Sequence, residues 1–101
     1  MISFEELVKR TEVVNEYWGG QMPLMSCEEL SEMIQVISKL ERSRKSKSVV
    51  CTTQLAIDMS TSRLTAEMAD VLICIGALCN RYEIDSNTLA YRIDMKLAKE
   101  Y

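Results

Sequence analysis

The chain has 101 residues and a formal net charge of −3 at pH 7, and 48% of its residues are hydrophobic. This length is typical of one domain, and this composition is typical of a globular protein rather than a disordered one. The acidic balance argues against a general nucleic-acid-binding protein, and the longest apolar run is too short to span a membrane.

The first predicted helix begins at Ser3, because Ser3 and Glu6 have the spacing of a capping box. Its apolar residues recur at helical spacing as far as Trp18. Gly19 and Gly20 follow directly and are expected to end the helix, since glycine is a poor helix former.

The second predicted helix begins near Pro23, a residue favoured in the first helical turn, and runs to about Arg42. Ser26 with Glu29 offers a competing start. The serine- and threonine-rich segment 43–61 breaks the helical period and predicts a long connector. Its basic beginning is interpreted mainly as a solvated linker, with phosphate capture as the alternative.

The third predicted helix spans roughly Arg63 to Tyr82, and the fourth starts with Asp85 or Ser86 as its N-cap and continues to the C-terminus. Four helices with one long crossover predict an all-α bundle. Residues 68–79 of the third helix are apolar on every face, which indicates burial by the chain's own fold or by a partner subunit. Since a small chain buries only about 60 to 65% of its unfolded surface, we expect an oligomer, either a homodimer or a homotetramer.

Two pairs of acidic residues at i,i+3 spacing lie in the second and third predicted helices, namely Glu29 with Glu32 and Glu67 with Asp70. Fifteen acidic residues predict about two such pairs by chance, so their surroundings have to support any role. Both pairs interrupt apolar stripes that are expected to face the core. Asp70 has no lysine or arginine within one helical turn, and a carboxylate among apolar residues is costly unless it is paired or binds a cation. The pattern favours a magnesium site.

Basic residues could flank such a site. Lys39 lies two helical turns beyond Glu32 on the same side, and Arg92, Lys96 and Lys99 share one face of the fourth helix. The four cysteines have no CxxC spacing, so neither a zinc site nor a disulfide framework is indicated, and a reduced cytoplasm is the expected location. The N-terminus lacks the apolar core of a signal peptide.

Three segments of the chain, CEELSEMIQVISKLER, LTAEMADVLICIGALCNRYEID and RIDMKLAKEY, resemble the MazG-like, all-α nucleoside triphosphate pyrophosphohydrolases. The resemblance covers about residues 18–101. The family signature EExxE followed by ExxD reads here as Glu28, Glu29 and Glu32, then Glu67 and Asp70. Two departures are visible: the segment 33–66 is longer than in compact members, and an asparagine of the last helix in many relatives looks replaced by Asp94.

The resemblance implies a MazG-like four-helix bundle that hydrolyses a nucleoside or deoxynucleoside triphosphate to the monophosphate and pyrophosphate, for nucleotide-pool housekeeping. The implied Mg²⁺ ligands, with Mn²⁺ as a substitute metal, are Glu29, Glu32, Glu67 and Asp70. The expected phosphate contacts are Lys39, Arg92, Lys96 and Lys99. Because the chain has no histidine, the general base is either a metal-bound hydroxide or a carboxylate, with Glu32 and Glu67 as candidates.

Trp18 and Gln21 are candidates for contacts to the nucleobase, although an aromatic residue near a helix end is more often part of the core. Other interpretations stay open. The chain could be a non-catalytic helical interaction module, or a relative within the same superfamily that acts on phosphoribosyl-ATP or on one particular deoxynucleotide. A ferritin-like di-iron bundle is excluded, since its Glu-x-x-His motif needs histidine.

Overall fold

The computed structural model describes residues 1–45 and 50–101, with side chains described for 1–42 and 61–101. Every regular element within these residues is helical, which confirms the predicted all-α class. The α-helices in chain order are α1 (Phe4–Arg10), α2 (Glu12–Trp18), α3 (Met22–Lys45), α4 (Val50–Arg81) and α5 (Ser86–Glu100), and a short 3₁₀ helix (Gly19–Gln21) joins α2 to α3. Within the described part of the chain, none of these helices is both long and apolar enough to cross a membrane.

The predicted first helix is in fact two helices, because the chain departs from helical geometry at Thr11. The Ser3 cap is confirmed, since its hydroxyl accepts a hydrogen bond from the Glu6 backbone N–H at 3.1 Å. The Thr11 hydroxyl donates to the carbonyl oxygens of Leu7, at 2.8 Å, and Val8, at 3.1 Å. A threonine that bonds back to the preceding turn competes with the backbone ladder and bends the helix. The predicted end is confirmed, with Gly19 at φ 55° following Trp18.

The predicted connector over 43–61 is wrong for most of its length. Helix α3 continues to Lys45 and α4 begins at Val50, while residues 46–49 lie outside the described part of the chain. The segment 43–61 contains neither glycine nor proline. Serine, threonine and valine each raise the free energy of helix formation by only about 0.7 kcal/mol or less relative to alanine. A helix that is already nucleated can therefore extend through them.

Helix α4 ends in a Schellman motif. The N–H of Ile84 bonds to the Cys79 carbonyl at 2.8 Å, the N–H of Glu83 bonds to the Asn80 carbonyl at 3.4 Å, and Glu83 has a φ of 55°. Asp85 follows as the N-cap of α5, as predicted, although its side chain makes no capping hydrogen bond.

The chain divides into two compact units, Met1–Met25 with Ile73–Tyr101, and Ser26–Leu72. In the first unit, α1 and α2 are anchored on the C-terminal part of α4 by two short hydrogen bonds. The Asn80 side-chain amide donates to the Val8 carbonyl at 2.6 Å, and the Asn15 side-chain amide donates to the Ala77 carbonyl at 2.6 Å. Helix α1 also packs against α5.

The second unit, Ser26–Leu72, contains an antiparallel pair formed by α3 and α4. Carboxylates of Glu32 on α3 and Glu67 on α4 approach each other closely. In a parallel pair with this contact, Lys45 and Val50 would lie about 45 Å apart, whereas five residue steps span at most about 18 Å. The two helices therefore run in opposite directions. The predicted four-helix bundle and its assembly into an oligomer remain predictions.

Residues 68–79 are only partly covered within the chain. Ala77 and Cys79 are buried, as is Val71, whereas Met68 and Leu72 are exposed. The chain's own fold therefore does not bury this segment on every face, and burial by a partner subunit, the other alternative, stays a prediction. One antiparallel neighbour covers one face of a helix and leaves its flanks in water.

Candidate metal centre

Three carboxylates meet where α3 and α4 pack together in Ser26–Leu72. Glu29 and Glu32 lie one turn apart on α3, and Glu67 faces them from α4. Each offers a carboxylate oxygen, and these three oxygens all lie within 4.8 Å of one another. Oxygens bound to a single Mg²⁺ at about 2.1 Å lie at most about 4.2 Å apart, so this spacing is close to that of a shared ion.

The packing of the helices explains why these acids converge. Val36 lies seven residues after Glu29, and Val71 lies four residues after Glu67, so each valine shares a helix face with an acid of the cluster. Both valines are buried. Their burial marks the packed face of each helix and so places the adjacent carboxylates toward the neighbouring helix.

Two of these carboxylates each have an oxygen that is shielded from water and has no partner. Glu29 Oε2 and Glu67 Oε2 are buried without a hydrogen bond, while the Glu32 side chain is exposed. A shielded carboxylate oxygen without a partner is costly. A cation that binds there would satisfy both oxygens.

The electrostatic environment opposes ionisation of the cluster. Burial is the main cause that raises the pKa of Glu29, followed by the charges of Glu32, Asp70 and Glu67. Burial also raises the pKa of Glu67, followed by the charges of Glu32 and Asp70. Among the described residues, none of these carboxylates forms an ion pair. The negative charges therefore repel one another, and a side-chain hydrogen bond with Glu32 further raises the pKa of both Glu29 and Glu67.

Asp70, the fourth predicted ligand, lies beside the cluster rather than within it. Its charge contributes to the raised pKa of both Glu29 and Glu67. It does not belong to the group of oxygens within 4.8 Å, and its side chain is exposed. The expectation of a buried Asp70 is wrong because Asp70 directly precedes buried Val71 and so lies about 100° round the helix from the packed face.

Arg63 is a residue of this site that the sequence analysis did not select. It lies one turn before Glu67 on α4, and its positive charge lowers the pKa of Glu67, opposing the larger effects that raise it. The i,i+4 spacing of Arg63 and Glu67 is the sequence signal that identifies it. Lys39 is exposed on α3 and lies on the same side of that helix as Glu32, about 10 Å farther along the axis.

The other predicted substrate contacts lie in the unit formed by Met1–Met25 and Ile73–Tyr101. Arg92, Lys96 and Lys99 are brought together around a surface groove of about 320 Å³ on α5. Lys96 is partly engaged by Glu100, with 3.8 Å between Nζ and Oε1. This groove is therefore basic but not free of negative charge.

Trp18 and Gln21 lie at the junction of α2 and α3 in the same unit, and both are exposed. The Trp18 ring contacts Tyr17 edge to face, with 5.1 Å between ring centroids and 80° between ring planes. Trp18 is therefore not a core residue, and its ring has an accessible surface. A role for Trp18 and Gln21 in base binding stays a prediction.

Comparison with known proteins finds no family model, no curated protein and no solved structure that matches the chain. The MazG-like resemblance thus rests on the sequence segments alone.

Proposed function

We propose that this chain is a Mg²⁺-dependent hydrolase of the MazG-like type, which cleaves a nucleoside or deoxynucleoside triphosphate to the monophosphate and pyrophosphate. The observation that carries the proposal is the convergence of Glu29, Glu32 and Glu67 within 4.8 Å, with two shielded oxygens that have no hydrogen-bond partner. These residues, with Asp70, also match the acidic signature of that family in order and spacing.

The donor set fits magnesium. Mg²⁺ prefers hard oxygen ligands and is often held by one or two carboxylates together with substrate phosphates. Glu29, Glu32 and Glu67 would hold the ion, and Asp70, which lies beside them, would be a further ligand. When bound, the ion neutralises charge on the phosphate chain and acidifies a coordinated water.

The residues of the chain supply the remaining chemistry. A water attacks the α-phosphorus in line with the leaving group, the bond between the α-phosphorus and its bridging oxygen breaks, and pyrophosphate leaves. Glu32 or Glu67 accepts the proton of the attacking water, since histidine is absent. Lys39 and Arg63 lie on the same side of the helix pair as these acids and can bind phosphate oxygens. The basic residues of α5 are further candidates for that role.

Product analysis tests the proposal. The protein is incubated with Mg²⁺ and a panel of canonical and modified triphosphates, beside Glu32→Gln and Asp70→Asn. We expect monophosphate and pyrophosphate in a one-to-one ratio, with a loss of about 100-fold or more in each variant, since even residues that only support metal ligands typically contribute 10- to 100-fold. Glu41→Gln, an exposed acid on the same helix, should retain activity.

Two outcomes would overturn the proposal. Release of inorganic phosphate and a diphosphate would place cleavage at the wrong bond. Absence of turnover with every nucleotide, with either Mg²⁺ or Mn²⁺, from a folded protein would favour the alternative of a non-catalytic interaction module.

A further inference from the structure

We propose that a groove between α1 and the turn joining α4 to α5 binds an aliphatic polyamine, with two or more ammonium groups on one alkyl chain. The groove has a volume of about 420 Å³ and lies within the unit formed by Met1–Met25 and Ile73–Tyr101. The residues proposed to bind metal or triphosphate all lie outside its lining. Its charged lining residues are Glu5, Lys9, Glu83 and Asp85.

The groove has an excess of negative charge. The three carboxylates of Glu5, Glu83 and Asp85 outnumber the single ammonium group of Lys9, which leaves two negative charges. Within the described side chains, none of these four groups forms an ion pair. The Asp85 side chain makes no capping hydrogen bond, so the start of α5 adds about half a positive charge, and the balance stays negative. The groove therefore attracts a cation.

A serine of the groove points to a ligand independently of these charges. Ser86 lines the groove and is only 9% exposed. Its hydroxyl has no hydrogen-bond partner within the described part of the chain, and its oxygen is not among those fully shielded from solvent. The small accessible part of Ser86 therefore faces the groove. A hydroxyl held in such a place gains a hydrogen bond when a donor enters.

The polar groups around Ser86 are mainly hydrogen-bond acceptors. The side-chain nitrogen of Asn80 donates to the Val8 carbonyl at 2.6 Å, which leaves the Asn80 side-chain oxygen as an acceptor beside the three carboxylates. An ammonium group offers three N–H donors and no acceptor, so it complements these groups. A phosphate or a carboxylate only accepts hydrogen bonds and would be repelled by the same oxygens.

The spacing of the acids distinguishes an organic cation from a metal ion. Among the described residues, the acids whose oxygens converge within 4.8 Å in a group of three are Glu29, Glu32 and Glu67. The acids of the groove do not form such a group, so they do not match the compact ligand set of a single ion.

The lining of the groove also includes apolar side chains. Val8 is half-buried and Ile84 is 41% exposed, and both line the groove beside the carboxylates. An alkyl chain can pack against these side chains and release water from them. Ammonium groups joined by a short alkyl chain therefore match both the separate carboxylates and the apolar wall.

Titration of the ¹⁵N-labelled full chain with putrescine, followed by nuclear magnetic resonance without nucleotide, tests this proposal. We expect saturable shifts of the amide signals of residues 83–88. Butylamine has the same alkyl chain but one ammonium group, and it should bind about fivefold more weakly because it lacks one charge pair. Sodium chloride at matched ionic strength is the control for general screening.

Ser86→Ala separates a specific site from general attraction, because it changes no charge. It should weaken putrescine binding by about tenfold, since a hydrogen bond to a charged group is lost. Glu83→Gln should weaken binding by about two- to fivefold. Glu41→Gln removes an exposed acid outside the groove and should bind putrescine as the wild type does. Alanine is the best helix former, so Ser86→Ala should fold, which circular dichroism checks.

Several outcomes would overturn the proposal. These are the absence of shifts with putrescine, shifts confined to residues 29–67, and equal binding of putrescine and butylamine. Wild-type affinity in Ser86→Ala would also overturn it, since binding would then reflect net charge alone. Because no nucleotide is present and the readout is binding, failure of the hydrolase proposal would leave this result unaffected.

Discussion

At the scale of single residues, ionisation of the carboxyls of Glu29 and Glu67 lowers the free energy of unfolding. Burial and neighbouring negative charges raise the pKa of both groups. A raised pKa means that the folded chain holds these protons more tightly than the unfolded chain does. The resulting contribution to stability is fully present below the pKa of the unfolded chain, about 4.3, and is lost as the pH rises through the raised folded pKa.

Stability without metal should therefore fall as the pH rises above about 4.3, the pKa of glutamate in an unfolded chain, and Glu67→Gln should reduce this fall, because glutamine keeps the shape and removes the charge. Magnesium should raise the thermal midpoint of the wild type most at the higher pH, where its ligands are ionised. Thermal unfolding at several pH values, with chelator or with Mg²⁺, measures both effects.

Glu41→Gln serves as the control for a general change in net charge, and its pH profile should follow the wild type. Parallel profiles for the wild type and Glu67→Gln would contradict the prediction, since they would show that the raised pKa of Glu67 does not affect folding.

At the scale of helices, the contact between α4 and the junction of α1 and α2 depends on a glycine. A Cβ added at Gly76 would lie 2.5 Å from Thr11 Oγ1 and 3.2 Å from the Leu7 carbonyl oxygen. The buried Thr11 side chain cannot swing into solvent without breaking its hydrogen bonds to the preceding turn. Only glycine therefore lets these helices approach so closely.

Gly76→Ala should destabilise the protein by about 1 to 3 kcal/mol, the usual cost of overpacking. Chemical denaturation measures the change. Gly20→Ala is the control, because an added Cβ there meets nothing within 4 Å, and it should be neutral or slightly stabilising. Adding Thr11→Ala to Gly76→Ala should restore part of the lost stability, because it removes the Thr11 side-chain atoms that the new Cβ would meet. A Gly76→Ala variant as stable as the wild type would refute the close contact.

The helices themselves were predictable where a local signal was decisive. Ser3 as a cap and Gly19 as a stop follow from the sequence, since each acts within one turn, and Asp85 was one of the two N-cap candidates for α5. The break at Thr11 was not predictable from periodicity, because it depends on which carbonyl its hydroxyl bonds. The length of α4 was underestimated because weak helix formers were interpreted as helix breakers.

The sequence predicted that Glu29, Glu32 and Glu67 would converge, but it did not predict that Asp70 would lie outside the cluster. Spacing alone paired Glu67 with Asp70, and only the packing of the two helices separates the inward Glu67 from the exposed Asp70. Arg63 was missed for a different reason: its i,i+4 spacing to Glu67 on α4 was visible in the sequence, but only pairs of acids, and not a cation beside them, were considered as candidates.

At the scale of the whole molecule, the proposed metal ligands all belong to Ser26–Leu72, while the hydrogen bonds of Asn15 and Asn80 hold the other unit. Ligand binding to the folded state suppresses the opening reactions that expose the bound groups, by a free energy that grows with ligand concentration. Amide hydrogen exchange with and without Mg²⁺ should therefore show slower exchange in 26–42 and 61–72.

Exchange in Phe4–Arg10 and Glu12–Trp18 should change less, because these helices carry none of the proposed ligands. Glu29→Gln should abolish the metal-dependent protection, whereas Glu41→Gln should leave it intact. Protection that rises equally in all helices would mean that Mg²⁺ acts on global unfolding alone. Protection that rises in neither unit would show that Glu29, Glu32 and Glu67 do not bind Mg²⁺. The shielded oxygens of Glu29 and Glu67 would then have no bound Mg²⁺ to satisfy them.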